Sequence, residues 1–424
     1  MRLLYTLLLI LASPLLLYSL YKNRAEKPAF GSRWKEHWGF TPKIDGQHPI
    51  WIHAVSVGES IAAIPVIKAL KQAQPHRTIL VTTTTSTGAE QIAKLGDLVE
   101  HRYMPLDFAW CVRRFLRTVQ PAQLLIVETE LWPNTLRTVH QQNIPITVIN
   151  ARLSERSYLR YQKFSALFNL IRPYVDQILC QYPSDAERFI RLGFHPEQVQ
   201  VTGSIKFDIE IPPTVIEQGH QLRQQLGAQR PVWIAASTHQ GEDDIVLNAH
   251  QILLNDFPDA LLILVPRHPE RFDGVFELCT QHGFTTQRRT SPASIDTNSQ
   301  VYLADTMGEM LLLLSAADIC FMGGSLLGDK VGGHNLLEPA ALGKPLLNGP
   351  SYYNFQEIAK MLIDLNVMTI CLDEKQIKFK LNIFFKNHEQ IKSHKIKLLD
   401  FFKKNNGAVT KTLECIKSQI QRTA

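Results

Sequence analysis

The chain has 424 residues, of which 45% are hydrophobic and 20% are charged, and its formal net charge is +6. This length exceeds what one hydrophobic core usually organises, so it predicts two domains. The Lys and Arg residues are spread along the chain without a recognition motif, which argues against a nucleic-acid partner. The six cysteines form no CxxC pair, so we expect reduced and mostly buried thiols, and neither a disulfide framework nor a zinc site.

The first predicted element is an apolar stretch without charge, from Leu3 to Tyr21. At 1.5 Å per residue, a helix of this length can cover about the thickness of a bilayer. Arg2 precedes the stretch, and Lys22, Arg24 and Lys27 follow it. The heavier positive flank is C-terminal, which predicts a single membrane anchor with the rest of the chain in the cytoplasm.

A cleaved signal peptide is the alternative reading of this stretch. Signal peptides carry their charge on the N-terminal side and end in small residues, whereas YKNRAEK follows the apolar run here. An uncleaved anchor is therefore favoured. Pro14 can kink the helix, so the sequence leaves open whether it crosses the bilayer or dips into it.

From Pro49 onward, short apolar runs alternate with helical stretches, which predicts βαβ units and parallel sheets. The segment Lys206 to Pro213 interrupts the pattern with a Pro-Pro pair and is the expected linker. We therefore expect a membrane anchor at 1–24, a juxtamembrane segment at 25–48, and two doubly wound domains at 49–208 and 209–424. Ligands of such domains usually bind at the carboxyl ends of the strands, in a cleft. The lysine-rich segment Glu374 to Asn406 is read as a solvated helical pair, with a lipid-binding surface as the alternative.

Four acidic or basic positions of the first half are candidates for chemistry, and three of them stand near predicted strand ends. Glu59, in VSVGES, follows the turn that Gly58 permits; it is either a proton acceptor or an ordinary acid at a helix start. Glu128 and Glu130, in ETELWPN, point to opposite faces if the strand continues, and as a metal site the pair is a weak signal. Lys206 is either a surface residue or a cation that neutralises a phosphate or carboxylate.

A basic stripe follows at helical spacing. It is either a solvated face or a docking face for lipid phosphates, and it comprises Arg152, Arg156, Arg160 and Lys163.

The second half carries the stronger cluster. LVPRHPERF ends a strand with Arg267, His268 and Arg271, and DTMGEM offers backbone amides at the start of a helix. A glycine-rich stretch then leads into a helix near Asn335, an arrangement typical of a phosphate loop, although a structural turn would look similar. Glu338 could bind ribose hydroxyls. The chain lacks GxGxxG and GxxxxGK[ST], which disfavours a nicotinamide oxidoreductase or P-loop enzyme, and it lacks a DxD triplet.

Several strings in order closely resemble the 3-deoxy-D-manno-octulosonic acid (Kdo) transferase family, enzymes that move Kdo from CMP-Kdo to the lipid A precursor in lipopolysaccharide synthesis. The resemblance runs from about Arg33 to Phe355, and the anchor is also similar. The strings are VSVGES, ETELWPN, NARLSERS, VTGSIKFD, STHQGEDD, LVPRHPERF, DTMGEM, GGHNLLEPA and GPSYYNF. The resemblance implies an α/β GT-B fold, in which two Rossmann-like domains face each other across a cleft.

The resemblance also implies roles for individual residues. Glu59 matches the proton acceptor, and Glu128 and Lys206 match residues that stabilise the transition state. The implied CMP-binding residues are Pro266, Arg267, Met307, Gly308, Glu309, Asn335, Leu336, Leu337 and Glu338. No metal or other cofactor is implied.

The implied function is an inverting, metal-independent transfer of Kdo from CMP-Kdo to the lipid A precursor (lipid IVA), by an enzyme anchored in the bacterial inner membrane with its domains on the cytoplasmic side. Two alternatives stay open: a GT-B enzyme that uses a UDP-sugar, and a membrane-tethered nucleotide-binding protein without activity. The sequence does not indicate how many Kdo units are added.

Overall fold

The computed structural model describes residues 2–22 and 28–423, so the expected basic flank at Arg24 and Lys27 lies outside the described residues. Tertiary contacts divide the chain into unit 1, Met1–Asp208 with Asn405–Ala424, and unit 2, Ile209–Lys404. The chain thus changes unit inside the segment where the sequence places the linker. Residues from 405 onward return to unit 1, whereas the sequence assigns them to the C-terminal domain.

Unit 1 is built on a seven-stranded parallel sheet with the order β3-β2-β1-β4-β5-β6-β7. Its strands are β1 (Ile50–His53), β2 (Ile79–Thr83), β3 (Glu100–Tyr103), β4 (Gln123–Val127), β5 (Ile146–Ala151), β6 (Gln177–Cys180) and β7 (Val199–Val201). Most of these strands are buried along their length, as expected for a sheet covered by helices on both faces. The chain order reverses between β1 and β4, which is where ligands bind in such sheets.

Unit 1 also contains α-helices. They are α1 (Arg2–Tyr21), α2 (Val57–Ala73), α3 (Ser86–Ala93), α4 (Ala109–Val119), α5 (Pro133–His140), α6 (Glu155–Lys163), α7 (Ser165–Phe168) and α8 (Pro183–Arg191). Short 3-10 helices lie at Gly31–Trp38, Gly96–Leu98, Arg172–Tyr174, Pro196–Gln198 and Ile205–Phe207.

Unit 2 contains a second seven-stranded parallel sheet, with the order β10-β11-β9-β8-β12-β13-β14. Its strands are β8 (Val232–Thr238), β9 (Leu261–Pro266), β10 (Thr286–Arg288), β11 (Val301–Leu303), β12 (Ile319–Met322), β13 (Leu346–Asn348) and β14 (Met368–Ile370). The chain order reverses between β8 and β12. The loops after these two strands are therefore the expected ligand position of unit 2.

The helices of unit 2 include the lysine-rich pair. They are α9 (Pro213–Gly227), α10 (Asp243–Leu253), α11 (Phe272–Gln281), α12 (Met310–Ala316), α13 (Leu337–Ala341), α14 (Gln356–Asp364), α15 (Glu374–Lys386) and α16 (His388–Asn405), with 3-10 helices at Pro269–Arg271, Gly328–Lys330 and Tyr353–Phe355. The predicted helical pair is confirmed as α15 and α16: Ile377, Leu381 and Phe384 of α15 are buried in the core of unit 2.

The last helix, α17 (Ala408–Thr423), packs against α2 in unit 1. The Asp208 carboxylate accepts hydrogen bonds from the backbone amides of Gly407 (2.8 Å) and Val409 (2.5 Å). Ala408 and Ile416 are buried in the same apolar cluster as the inner face of α2. An anion at the start of a helix satisfies its free amides, so Asp208 fixes the return of the chain to unit 1.

Helix α1 lies lengthwise against unit 1. No residue of the helix is fully buried, but a stripe spaced three to four residues apart is half-buried, comprising Arg2, Thr6, Leu9, Ser13, Leu17 and Leu20. Near its start, the Tyr5 hydroxyl donates to the buried Asp107 carboxylate over 2.8 Å. At its end, the Tyr21 hydroxyl lies 2.9 Å from Nδ1 of His37. Both ends of α1 therefore contact the same unit.

Candidate functional site

The Glu59 side chain lies beyond β1, beside the point where the order of the first sheet reverses. Ser56 caps α2 by accepting a hydrogen bond from the Glu59 amide, over 3.3 Å. The carboxylate in turn accepts hydrogen bonds from the Val55 amide (2.8 Å) and the Ser56 hydroxyl (2.9 Å). This variant of a capping box places Glu59 in the first turn of α2 and holds its carboxylate in one orientation.

The expectation that Gly58 makes the turn from strand to helix is wrong. Gly58 is a helical residue of α2 and is not among the glycines of positive φ. β1 ends at His53, and the chain turns through Ser56, which has extended φ and ψ angles. The cap hydroxyl, and not glycine, makes this turn.

Burial gives the Glu59 carboxyl an unusual acidity. Its side chain is buried, and desolvation raises its pKa to about 7, against the lowering effect of the Val55 and Ser56 hydrogen bonds. The negative charges of Glu128 and Glu130 raise it further. A carboxyl group with a pKa near 7 can accept a proton at neutral pH and can release it again.

The second part of this site follows β4, the neighbour of β1. Glu128 has a φ of 61°, a left-handed conformation that is strained for a residue with a side chain. Its carboxylate accepts a hydrogen bond from Nζ of Lys206 over 3.0 Å. Both side chains are about one-third exposed, so the ion pair is accessible from solvent.

The expectation that Glu128 and Glu130 point to opposite faces of a strand does not apply, since β4 ends at Val127. Both carboxylates lie close enough to Glu59 to raise its pKa. The structure therefore brings the sequence-predicted residues Glu59, Glu128 and Lys206 together in unit 1. In residues 2–22 and 28–423, no three His, Cys, Asp or Glu side chains form a group that could hold a metal ion.

The glycine-rich stretch of unit 2 differs from a free phosphate loop in its first part. The buried Glu242 carboxylate accepts hydrogen bonds from the amides of Gly324 (2.6 Å), Ser325 (2.9 Å) and Leu326 (2.9 Å). It also accepts one from the His239 amide, over 3.1 Å. These amides hold an internal carboxylate, so the expectation that they face a phosphate is wrong.

A basic cluster stands beside this loop, at the carboxyl ends of β8 and β9. The rings of His239 and His334 are stacked, with their Nε2 atoms 2.8 Å apart. The His268 ring packs edge-on against His239 at a centroid distance of 5.3 Å. Burial lowers the pKa of His334 to about 4, and the positive charge of Arg267 lowers it further, together with the other two histidines. His334 is therefore uncharged at neutral pH, and Arg267 supplies positive charge to the cluster.

The sequence-predicted basic set changes accordingly. Arg267 is exposed at the end of β9 and belongs to the cluster. Arg271 instead forms an ion pair with the buried Asp243 and donates to the Thr238 carbonyl over 2.9 Å, so it holds the loop in place. The sequence reasoning missed His239, His334 and Glu242. Their signal was present in STHQGEDD, at the end of β8, and in GGHNLLEPA, which follows β12 and runs into α13.

The remaining predicted CMP-binding residues lie around the start of α13, at the end of β9 and after β11. Helix α13 starts at Leu337, two residues after the expected start at Asn335. The side-chain amide of Asn335 donates to the Glu338 carboxylate over 3.1 Å, and burial raises the pKa of Glu338. Leu336 is buried in the core, as is Leu337, so these two residues can offer only backbone atoms to a ligand.

The third segment, Met307 to Glu309, follows β11, which pairs with β9. The Met307 side chain is 57% exposed, and Gly308 adopts a φ of 84° with open space around it. Glu309 forms an ion pair with Arg289 at 2.8 Å and accepts a hydrogen bond from Thr306. Pro266, which ends β9, is buried. The structure therefore places the predicted CMP-binding residues of unit 2 at the last residue of β9 or in segments that follow strands.

The other sequence expectations have mixed outcomes. Five cysteines are buried and Cys415 is partly exposed, and all six are free thiols, as expected. Arg156, Arg160 and Lys163 are exposed on α6, while Arg152 lies before that helix. Whether they contact lipid stays a prediction.

The chain is similar to several known proteins. A family model described as 3-deoxy-D-manno-octulosonic-acid transferase (kdotransferase) matches residues 32–209. The chain is 38% identical over 425 residues to the 3-deoxy-D-manno-octulosonic acid transferase of Haemophilus influenzae, covering 99% of each chain. The crystal structure of the C-terminal CMP-Kdo binding domain of WaaA from Acinetobacter baumannii has 42% identity and a TM-score of 0.41, over 44% of this chain and 98% of that one.

A more distant structural likeness concerns the fold. UDP-GlcNAc 2-epimerase from Neisseria meningitidis bound to UDP-GlcNAc matches with a TM-score of 0.55 and 14% identity, over 87% of this chain and 100% of that chain. Two parallel seven-stranded sheets and an N-terminal apolar helix confirm the predicted α/β fold class of GT-B type. The chain belongs to the Kdo transferase family, which comprises glycosyltransferases of lipopolysaccharide biosynthesis.

Proposed function

We propose that this protein is an inverting glycosyltransferase that transfers Kdo from CMP-Kdo to the lipid A precursor (lipid IVA), with Glu59 as the proton acceptor. The observation that carries the proposal is the state of the Glu59 carboxyl: it is buried, held by two hydrogen bonds, and has a pKa raised to about 7. Family membership supports Kdo transfer, and the geometry supports this choice of base.

The chemistry begins with the acceptor hydroxyl. Glu59 takes its proton as the oxygen attacks the anomeric carbon of Kdo, on the face opposite CMP. The bond between that carbon and the phosphate oxygen breaks, and CMP leaves as an anion. One displacement inverts the anomeric centre. The Lys206 ammonium, paired with Glu128, lies in the same unit and supplies a positive charge for the sugar carboxylate or the developing negative charge.

The donor is assigned to unit 2. Arg267 and the backbone amides of Met307 to Glu309 are placed after neighbouring strands, and they would bind the phosphate of CMP; Asn335 and Glu338 would bind its nucleoside. The leaving phosphate is a stable anion, so no general acid is assigned. The assignment of the donor to unit 2 rests on the family resemblance together with the basic cluster at Arg267.

The test is transfer by the purified protein. CMP-Kdo and lipid A precursor should yield a product whose mass counts the Kdo units added, and CMP should compete with the donor whereas UDP should not. A lack of product with intact CMP-Kdo binding would contradict the proposed reaction. Competition by UDP equal to that by CMP would favour the UDP-sugar alternative.

For the location, we infer an inner-membrane protein whose two domains are cytoplasmic. Helix α1 is the one helix of the described chain that is long and apolar enough to cross a membrane. Tyr5 and Tyr21 nevertheless bond to the same unit, about 24 Å apart along the helix axis at 1.5 Å per residue. These contacts support an apolar helix that enters the membrane from the cytoplasmic side, with both ends on that side.

This placement is tested with Leu3→Cys in a Cys415→Ser background. A membrane-impermeant maleimide should label it in inverted inner-membrane vesicles and not in spheroplasts. Labelling in spheroplasts alone would mean that α1 crosses the bilayer.

A further inference from the structure

A cavity of about 800 Å³ lies between α1 and the body of unit 1. One wall is made by α1, including Leu17 and Leu20, and the facing wall by Phe30, Trp34 and Trp38. Its volume is within the usual range for small-molecule sites. These walls consist largely of aliphatic and aromatic side chains, so the cavity suits an apolar ligand.

The walls of this cavity are fixed by specific contacts. The Phe30 ring packs edge-on against Tyr21 at 5.6 Å and against Tyr103 at 4.9 Å, measured between centroids. The Trp38 ring stacks on Trp110 at 5.7 Å. On the other side, the bonds at both ends of α1 hold the helix against unit 1. A cavity with two fixed walls is preorganised for a ligand.

Hydrogen bonds link the lining of the cavity to the candidate catalytic group. Thr85 and Ser86, which follow β2, are among the lining residues. The Thr85 hydroxyl donates to the Val55 carbonyl over 3.3 Å, and the Val55 amide donates to the Glu59 carboxylate over 2.8 Å. Val55 is therefore bonded both to a residue that lines the cavity and to the candidate base.

We propose that this cavity binds an acyl chain of the acceptor lipid while the hydroxyl of that lipid lies at Glu59. The occupant must carry an apolar chain, because the walls are apolar, and a reactive hydroxyl near that chain, because Thr85 in the lining is linked to Glu59 through Val55. The apolar helix α1 forms one wall, and a molecule leaving the bilayer would enter from that side. The proposal rests on the proposed function and specifies which part of the acceptor gives affinity.

The test compares two acceptors with two matched variants. Leu20→Trp fills the cavity. Leu15→Trp places the same ring on the outer face of α1, at a residue that is 76% exposed. Acceptors are the lipid A precursor and its fully deacylated, water-soluble form. In the wild-type protein we expect a KM for the acylated acceptor at least about tenfold lower, equivalent to roughly two buried methylenes.

Leu20→Trp should remove this difference while leaving kcat/KM for the deacylated acceptor and the KM for CMP-Kdo unchanged. Leu15→Trp should behave as wild type. Equal slowing with both acceptors, equal effects of the two variants, or a wild-type protein that does not distinguish the acceptors would overturn the proposal.

A second readout separates this proposal from the proposed function. A lipid A precursor carrying a diazirine in one acyl chain is photolysed with the protein, without any donor. Labelling of the segment Phe30 to Trp38 that is lost in Leu20→Trp and kept in Leu15→Trp would support the acyl site even if no sugar were transferred. Labelling confined to the exposed face of α1 would overturn it.

Discussion

The two sheets present different side chains at equivalent positions. Where the order of the first sheet reverses, the groups are acidic: Glu59, Glu128 and Glu130, with Lys206 as the cation paired to Glu128. Where the order of the second sheet reverses, they are basic: Arg267 and three histidines, of which His239 and His334 are stacked. The same fold therefore provides the same location twice, and the side chains give each location a different chemistry.

The two regions also differ in how they use a buried carboxylate. Glu59 keeps two hydrogen bonds and a pKa raised to about 7, which leaves it able to exchange a proton. Glu242 accepts hydrogen bonds from four backbone amides, which fixes the glycine-rich loop. The first is suited to chemistry and the second to structure. Each prediction below tests one side of this contrast.

The largest expected effect is on turnover in Glu59→Gln. Without a proton acceptor, kcat should fall about 100-fold or more, while affinity for CMP-Kdo stays at the wild-type value. Steady-state kinetics with lipid A precursor measure this. Glu130→Gln is the matched control, since it removes a neighbouring charge and leaves the base, and it should cause a much smaller change. Equal losses in both variants would mean that Glu59 acts only through the local charge.

Next in size is the effect of Arg267→Ala on the donor. Loss of a charged hydrogen bond to an anion should raise the Kd of CMP about 10- to 100-fold. Isothermal titration calorimetry measures it, with Arg156→Ala, an exposed arginine of unit 1, as the control. An unchanged Kd would remove Arg267 from the phosphate site.

A change at Glu242 should act on stability. Glu242→Gln keeps one oxygen acceptor but turns an NH2 group toward the loop amides, which leaves donors unpaired at a cost of about 1–3 kcal/mol. Thermal unfolding should show a lower midpoint. Glu270→Gln is the control, since its side chain is 75% exposed in the same unit, and it should leave the midpoint unchanged. A midpoint for Glu242→Gln equal to that of the control would contradict the structural role.

The smallest effect is a shift in pH dependence. The Glu59 pKa is raised, so its carboxylate form dominates above about pH 7, and kcat/KM should rise with pH through about 7 and then level off. Ser56→Ala removes a hydrogen bond that favours the carboxylate, so the rising limb should move to higher pH. Ser154→Ala removes a comparable helix cap from α6 and should not move it.

Much of this arrangement could be predicted from the sequence. Apolar runs located strands of both sheets, and the order of acidic and glycine-rich strings located both loops. The edge strands β3, β7, β10 and β14 were missed, because β3, β7 and β10 are short and only partly apolar. The sequence assigns residues 405–423 to the C-terminal domain, whereas tertiary contacts assign them to unit 1. Asp208 and Val409 are distant in sequence, so no local pattern predicts the hydrogen bond between them.

Side-chain chemistry was harder to predict than position. Nothing in FMGGS indicates that its amides bind a carboxylate from Glu242, about 80 residues earlier in the chain. The stacked pair of His239 and His334 depends on a similar separation. Arg271 looked equivalent to Arg267 in LVPRHPERF, and only the buried Asp243 beside it assigns it to structure.

The central claim is that proton transfer belongs to unit 1 and donor binding to unit 2. It is tested most directly by measuring turnover and CMP-Kdo affinity on the same preparations of Glu59→Gln and Arg267→Ala. We predict that Glu59→Gln loses turnover at saturating donor and keeps its affinity, whereas Arg267→Ala loses affinity and recovers most of its turnover at saturating donor. Loss of both quantities by the same factor in both variants would contradict the division between the two units.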